Sequence, residues 1–153
     1  MIAVRFLNLP QPYDLAFIAC MWLTGWGEAL RLYDRFANYD VLVHFLVPML
    51  GAPIVYIALS RLEVVAEPRE HDQRHHYVGL FLVTLALGLA LGALWEIAEW
   101  TSDHMSGSRL QTGQSDTIGD LVADACGAAA GGALLVIWAA FGWGSVRRVK
   151  AST

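Results

Sequence analysis

The stretch YVGLFLVTLALGLALGALWEIAEW, residues 77–100, decides the fold of this 153-residue chain. Residues 77–93 carry no charge, and the apolar run continues up to two glutamates, Glu96 and Glu99. A helix rises 1.5 Å per residue, so about 20 apolar residues cross the hydrocarbon core of a bilayer. The stretch therefore predicts a membrane-spanning helix with acidic side chains near its end.

The composition of the whole chain agrees with a membrane protein. Hydrophobic residues make up 56% of the sequence and charged residues only 16%, whereas soluble domains carry about 25% charged residues. The mean hydropathy is positive, which indicates an integral membrane protein in contact with the lipid bilayer. The net charge is −4 and no basic run occurs, which excludes nucleic acid as a partner.

Three further stretches are long enough to cross a bilayer, and none alternates with the period of two that a strand requires. We therefore predict an all-α, polytopic membrane protein, a four-helix transmembrane bundle that forms a single domain over residues 1–153. The predicted spans are about 13–33, 39–59, 77–100 and 117–143. The N-terminus lacks the apolar core and small-residue cleavage site of a signal peptide, so the first span is expected to remain in the mature protein.

Small residues recur at every fourth position in the last two spans. Gly88 and Gly92 form one such pair, and Gly127 and Gly131 form another. This pattern lets helix backbones approach closely in a membrane. We expect the glycines to pack helices within one chain.

The basic residues predict the orientation of the spans. With four spans, seven basic residues share the side of the two termini and residues 60–76: Arg5, Arg61, Arg69, Arg74, Arg147, Arg148 and Lys150. Three fall on the other side: Arg31, Arg35 and Arg109. By the positive-inside rule, both termini are expected in the cytoplasm, with the protein in a bacterial inner membrane.

Acidic residues of different spans are predicted to meet in the outer leaflet. Asp40 and His44 are four residues apart, as are the members of the series Asp116, Asp120 and Asp124, so each set shares a helix face. Buried carboxylates in a membrane normally face the bundle interior and need a partner. The candidate metal ligands are Asp40, His44, Glu96, Glu99, Asp116, Asp120 and Asp124.

Three interpretations of this acidic pocket stay open. The three basic residues on that side are too few for nine acids: Glu28, Asp34, Asp40, Glu96, Glu99, Asp103, Asp116, Asp120 and Asp124. A bound divalent metal ion would neutralise several carboxylates together, and Asp, Glu and His are suitable ligands. Alternatively, the acids share protons in a hydrogen-bonded network, or they are solvated helix ends.

The leading function is a small inner-membrane protein that binds a divalent cation in this pocket and acts on a lipid-linked or amphipathic substrate. In such an enzyme the metal would activate water or polarise a phosphoryl group, and Glu99 is the candidate general base. One alternative is an accessory or structural subunit of a larger membrane complex. Another is a proton-coupled transporter, which would have to be a homo-oligomer because four spans form a narrow pathway.

Three motifs carry a resemblance to a known family. YDVLVHF (39–45), WEIAEW (95–100) and QSDTIGDLVADACGAAAG (114–131) resemble the YjdF-like bacterial inner-membrane proteins and, more distantly, VanZ-like proteins. The resemblance implies a polytopic helical membrane protein, without implying a reaction. VanZ-like proteins are linked to glycopeptide resistance, which implies a role at the outer face of the envelope. The motifs contain all seven candidate ligands.

Overall fold

The structure is a computed structural model that describes residues 9–36, 38–70, 74–108, 110 and 113–142. Every regular element in these residues is an α-helix, as the sequence predicts. The helices are α1 (Gln11–Ala29), α2 (Leu32–Arg35), α3 (Tyr39–Arg61), α4 (His76–Ser106) and α5 (Gln114–Phe141). Some residues used above lie outside the described part: Arg5, Arg109, Arg147, Arg148, Lys150 and the side chain of Glu28.

Three of the described helices, α3, α4 and α5, are long and apolar enough to cross a membrane. The predicted count of four spans is therefore not confirmed. Helix α1 has 19 residues, which is long enough, but its composition is less apolar. Gln11, Pro12 and Asp14 open it, and Gly25, Gly27 and Glu28 lie near its end.

The ends of the helices differ from the expected ones for local reasons. Helix α1 ends before the expected residue 33 because the chain turns at Leu30 and at Arg31, whose φ is 54°. Helix α4 continues through the polar residues 101–106, which were expected to be a connection. It ends where Gly107 adopts a left-handed φ of 68°, the usual glycine stop of a helix.

Helix α5 packs against α3 through glycines. A side-chain carbon at Gly127 would overlap the carbonyl oxygen of Phe45, and one at Gly131 would overlap that of Met49. The backbones of α3 and α5 thus lie in direct contact. These contacts agree with the expectation that the small-residue pattern packs helices within the chain.

The bundle has two ends of different character. We call the end where α3 begins, α4 ends and α5 begins the acid end. The opposite end, where residues 62–75 connect α3 to α4, is the loop end. The buried apolar core lies at the loop end and consists of Leu9, Tyr13, Tyr56, Ile57, Leu80, Leu135, Trp138 and Ala139.

Helix α1 lies along α3 and runs antiparallel to it. At the loop end the ring of Tyr13 meets that of Trp138 edge-on, with centroids 5.3 Å apart. At the acid end the hydroxyl of Tyr39 donates a hydrogen bond of 2.8 Å to the carbonyl of Leu23. Helix α1 therefore extends from one end of the bundle to the other.

Candidate functional site

His44 is the centre of the acid end. Its side chain points from the second turn of α3 into the bundle, and the residue is only 4% exposed. Its Nδ1 donates a hydrogen bond of 3.2 Å to Oδ1 of Asp124 on α5, which is 1% exposed. With Nδ1 keeping its proton and donating it in the hydrogen bond to Asp124, a neutral ring carries its lone pair on Nε2.

Gly92 on α4 makes room for the Asp124 carboxylate. A side-chain carbon at position 92 would overlap Oδ2 of Asp124. The glycine that the sequence marks as a packing residue therefore also positions a carboxylate. The repeat of small residues alone does not reveal this second role.

The other nitrogen of His44 faces carboxylates from two helices. Its Nε2 lies 3.7 Å from Oδ1 of Asp40 and 3.8 Å from Oε1 of Glu96. Both distances exceed the range of a hydrogen bond, and Nε2 has no hydrogen-bond partner. A buried nitrogen is thus held between two carboxylates without a direct bond to either.

Among the residues that the structure describes, two sets of side chains could hold a metal ion, and His44 belongs to both. One set is His44 with Asp40 and Asp120, and the other is His44 with Glu96 and Glu99. Within each set the ligand atoms lie within 4.8 Å of one another. The structure therefore places five of the seven candidate ligands in these two sets, and the members of each set lie close enough together to share one ion. A sixth, Asp124, is linked to them by its hydrogen bond with Nδ1 of His44.

Two other acids at this end occupy different positions. Asp116, the remaining candidate ligand, lies in the first turn of α5 and belongs to neither set. Asp103 binds the connection between α4 and α5, since its Oδ1 accepts hydrogen bonds from the Ser108 hydroxyl at 2.7 Å and the Leu110 amide at 2.9 Å. Asp103 therefore holds this connection in place.

Trp95, near the end of α4, contacts the pocket. The indole Nε1 of Trp95 donates a hydrogen bond of 2.8 Å to Oε1 of Glu99. The same ring meets the imidazole of His44 edge-on, with centroids 6.3 Å apart. Trp95 thus fixes Glu99, the candidate base, next to the histidine.

Two cavities adjoin the pocket. An open cleft of about 530 Å³ lies between the end of α4 and the start of α5, and Glu96, Ile97, Trp100 and Thr117 are among the residues that line it. A smaller cavity of about 100 Å³ lies deeper. Its lining consists of Val43, His44, Val47, Pro48, Leu91, Gly92, Trp95 and Asp124.

Arg31 and Asp34 stay away from the pocket. They form an ion pair of 3.8 Å at the surface, with side chains that are 80% and 75% exposed. Asp34, which is one of the nine acids predicted on this side, therefore does not add to the buried charge. The buried group that remains, a histidine among carboxylates, has the donor chemistry of a divalent metal site.

Comparisons with known proteins agree with a membrane protein. Residues 3–141 match the family described as "Predicted membrane protein (DUF2238)". The chain is 30% identical over 122 residues to a protein of Thermotoga maritima described as "Uncharacterized protein", which corresponds to 78% of this chain and 59% of the relative. No solved structure matches the chain.

The family match covers most of the chain and all seven candidate ligands. The narrower likeness to YjdF-like and VanZ-like proteins is not shown by these comparisons and stays a prediction. The chain spans 59% of the length of its Thermotoga relative. This protein belongs to the DUF2238 family of membrane proteins.

Proposed function

We propose that this membrane protein binds a divalent cation at the acid end, between Nε2 of His44 and the carboxylates around it. One observation carries the proposal. His44 is nine-tenths buried, its Nδ1 is bonded to Asp124, and its Nε2 faces Asp40 and Glu96 without a hydrogen bond. A metal-binding histidine typically donates its other ring N–H to a carboxylate, which fixes the tautomer and the ring.

The distances favour a metal ion over a shared proton. A proton between an imidazole and a carboxylate draws the two heavy atoms to about 2.7–2.9 Å. Ligand atoms that each lie about 2.1 Å from one ion are separated from one another by roughly 3–4 Å. The distances from Nε2 to Asp40 and Glu96 are 3.7 and 3.8 Å, within the second range.

The mixture of ligands favours a transition metal. Mg²⁺ and Ca²⁺ prefer sites made of oxygen atoms, whereas Zn²⁺, Mn²⁺ and Fe²⁺ also accept an imidazole nitrogen. His44 Nε2 supplies the nitrogen, and Asp40, Glu96, Glu99 and Asp120 supply the oxygens. In this proposal Asp124 orients His44 and is not itself a ligand, and Asp116 adds negative charge in the first turn of α5.

The cleft beside Glu96 supports an amphipathic substrate. Its volume of about 530 Å³ lies in the range of ligand pockets. Ile97 and Trp100 offer an apolar wall, and Asp103 and Gln114 offer polar groups. A bound divalent cation would polarise a phosphoryl or carbonyl oxygen of such a substrate. Glu99, held by Trp95, stays the candidate general base.

The predicted topology completes this proposal. We infer that α1 crosses the membrane beside α3, because it extends between the two ends of the bundle. Four crossings would place both termini in the cytoplasm of a bacterial cell and the acid end in the outer leaflet of its inner membrane. Cysteine accessibility on the two sides of intact cells tests this orientation.

The test of the cation site is metal content. Purified protein that has been equilibrated with Zn²⁺ or Mn²⁺ and desalted should retain close to one ion per chain. The double variant Glu96→Gln, Asp120→Asn should lose it. The control variant Asp34→Asn removes an exposed acid outside the pocket and should retain the ion. Absence of metal from both the unsubstituted protein and the control would refute the cation site.

The same experiment addresses the structural alternative. If the acids only form a hydrogen-bonded network, as in an accessory subunit of a membrane complex, no ion is retained. Midpoints of thermal unfolding with and without a chelator then coincide. A bound ion at a hundredfold excess over its dissociation constant adds about 2.7 kcal/mol to the free energy of unfolding, so chelation should lower the midpoint measurably.

A further inference from the structure

We propose that the small cavity behind His44 is a binding site for a cluster of two or three water molecules, which solvates the second oxygen of Asp124 inside the bundle. This inference goes beyond the cation site and does not require it. It concerns the side of His44 that faces away from Asp40 and Glu96. Two acceptor groups support it: the second carboxylate oxygen of Asp124 and the backbone carbonyl of His44.

The first of these groups is the Asp124 carboxylate. Its Oδ1 accepts the hydrogen bond from His44, but its Oδ2 is buried and has no hydrogen-bond partner. A buried polar atom without a partner costs about 1–3 kcal/mol, and more if the group is charged. Asp124 is 1% exposed, so bulk solvent does not supply that partner.

The second group is the backbone carbonyl of His44. In a regular helix this oxygen accepts a hydrogen bond from the amide of the fourth residue onward, which here is Pro48. Proline has no amide hydrogen, so this helical bond cannot form. His44 and Pro48 both line the cavity, so we infer that a water molecule there also donates to this carbonyl oxygen.

The size of the cavity fits a few water molecules, and Asp124 and His44 are the polar residues of its otherwise apolar lining. A volume of about 100 Å³ accommodates roughly three molecules, since each takes about 30 Å³ in the liquid. Water donates two hydrogen bonds and so can serve both acceptors. A lipid chain would fit the apolar residues Val43, Val47 and Leu91, but it has no hydrogen-bond donor for Asp124.

Solid-state NMR of the protein in liposomes tests this site. Magnetisation is transferred from water protons to the aspartate carboxyl carbons, and the Asp124 signal is identified by its loss in Asp124→Asn. The measurement is made in the presence of a chelator, so it is independent of whether a metal binds. We expect Asp124 to receive magnetisation from water as rapidly as the half-buried Asp40.

Cavity-filling variants provide the contrast. Leu91→Phe adds bulk to the cavity wall and should reduce the water transfer to Asp124 at least threefold, with the transfer to Asp40 unchanged. Leu89→Phe adds the same bulk on the exposed face of α4 and should change neither signal. If Leu91→Phe does not fold, Val47→Leu fills the same space from α3.

Two results would overturn the proposal. One is transfer to Asp124 from lipid acyl protons in place of water. The other is a water signal at Asp124 that persists in a folded cavity-filling variant. Neither result tests the cation site, which is tested separately by the metal content of the purified protein.

Discussion

Glu67 at the loop end and His44 at the acid end differ in how closely polar groups contact them. At the loop end, Glu67 accepts hydrogen bonds of 2.9 Å from both Arg61 and Ser60, so an acid meets donors at short range. At the acid end, His44 has one hydrogen bond, to Asp124, and longer contacts to two further carboxylates. Short contacts between complementary groups fix a connection, whereas the longer contacts leave space for an ion.

The loop end also anchors its connection through aromatic and backbone groups. The guanidinium carbon of Arg69 lies 4.4 Å from the ring centroid of Trp138, a cation–π contact. The hydroxyl of Tyr56 donates a hydrogen bond of 3.0 Å to the carbonyl of Ala66. These contacts hold the described part of this connection, residues 62–70, against the core. The loop end therefore contributes to stability, and the proposed ligand site lies at the opposite end.

The largest effect is expected from His44→Asn, which would abolish the proposed cation binding that distinguishes the acid end from the loop end. The substitution removes the nitrogen ligand, and loss of an outer-shell partner alone typically costs 10–100-fold in metal affinity. We expect the affinity for Zn²⁺ or Mn²⁺, measured by isothermal titration calorimetry, to fall by more than about 100-fold. An affinity within threefold of the unsubstituted protein would contradict the assignment of His44.

The next largest effect is expected from Gly92→Ala, which tests whether Asp124 orients His44 for cation binding. The added methyl group would displace the carboxylate that orients His44, so we expect a 10–100-fold loss of cation affinity. Gly88→Ala is the matched control, because a side-chain carbon there meets Ala128 and Ala52 instead of the pocket. Equal affinities in the two variants would show that Gly92 acts only through packing.

At the loop end, Glu67→Gln should change stability without changing binding. It removes the charge that accepts hydrogen bonds from Arg61 and Ser60, and we expect the free energy of unfolding to fall by about 1–2 kcal/mol. Unfolding by SDS in mixed micelles measures the change. Glu63→Gln, an exposed acid of the same connection, is the control. A drop in cation affinity in Glu67→Gln would contradict the assignment of cation binding to the acid end alone.

The smallest effect is expected from Arg31→Ala, which removes the exposed ion pair with Asp34. Surface ion pairs contribute little because water and salt screen them, so the free energy of unfolding should change by less than about 0.5 kcal/mol. Cation affinity should not change either. A larger loss of stability would mean that the left-handed turn at Arg31 depends on this ion pair.

The sequence predicts the helices and the acidic end because these follow from local patterns. The uncharged run at 77–93 is sufficient for a membrane helix, and the spacing of four residues places Asp40 and His44 on one face. Their meeting with Glu96 and Asp120 follows from the alternating directions of the helices. These parts of the site depend on periodicity and length, which can be read without a structure.

Other parts depend on contacts between distant residues. The hydrogen bond between His44 and Asp124 requires the open space at Gly92, and no residue near Asp124 in the sequence indicates that space. The hydrogen bond from Trp95 to Glu99 depends on side-chain rotamers, and a tryptophan near a helix end equally well fits the membrane interface.

The contact between Gly92 and Asp124 also limits which second-site substitutions can rescue a first one. At Gly88, an added methyl group meets the side chain of Ala128, so Ala128→Gly could restore the space on the opposite helix. At Gly92 the obstructing group is the carboxylate of Asp124, and its removal would take away the residue that orients His44. Substitution at Gly92 therefore has no compensating partner on α5 that also preserves the pocket.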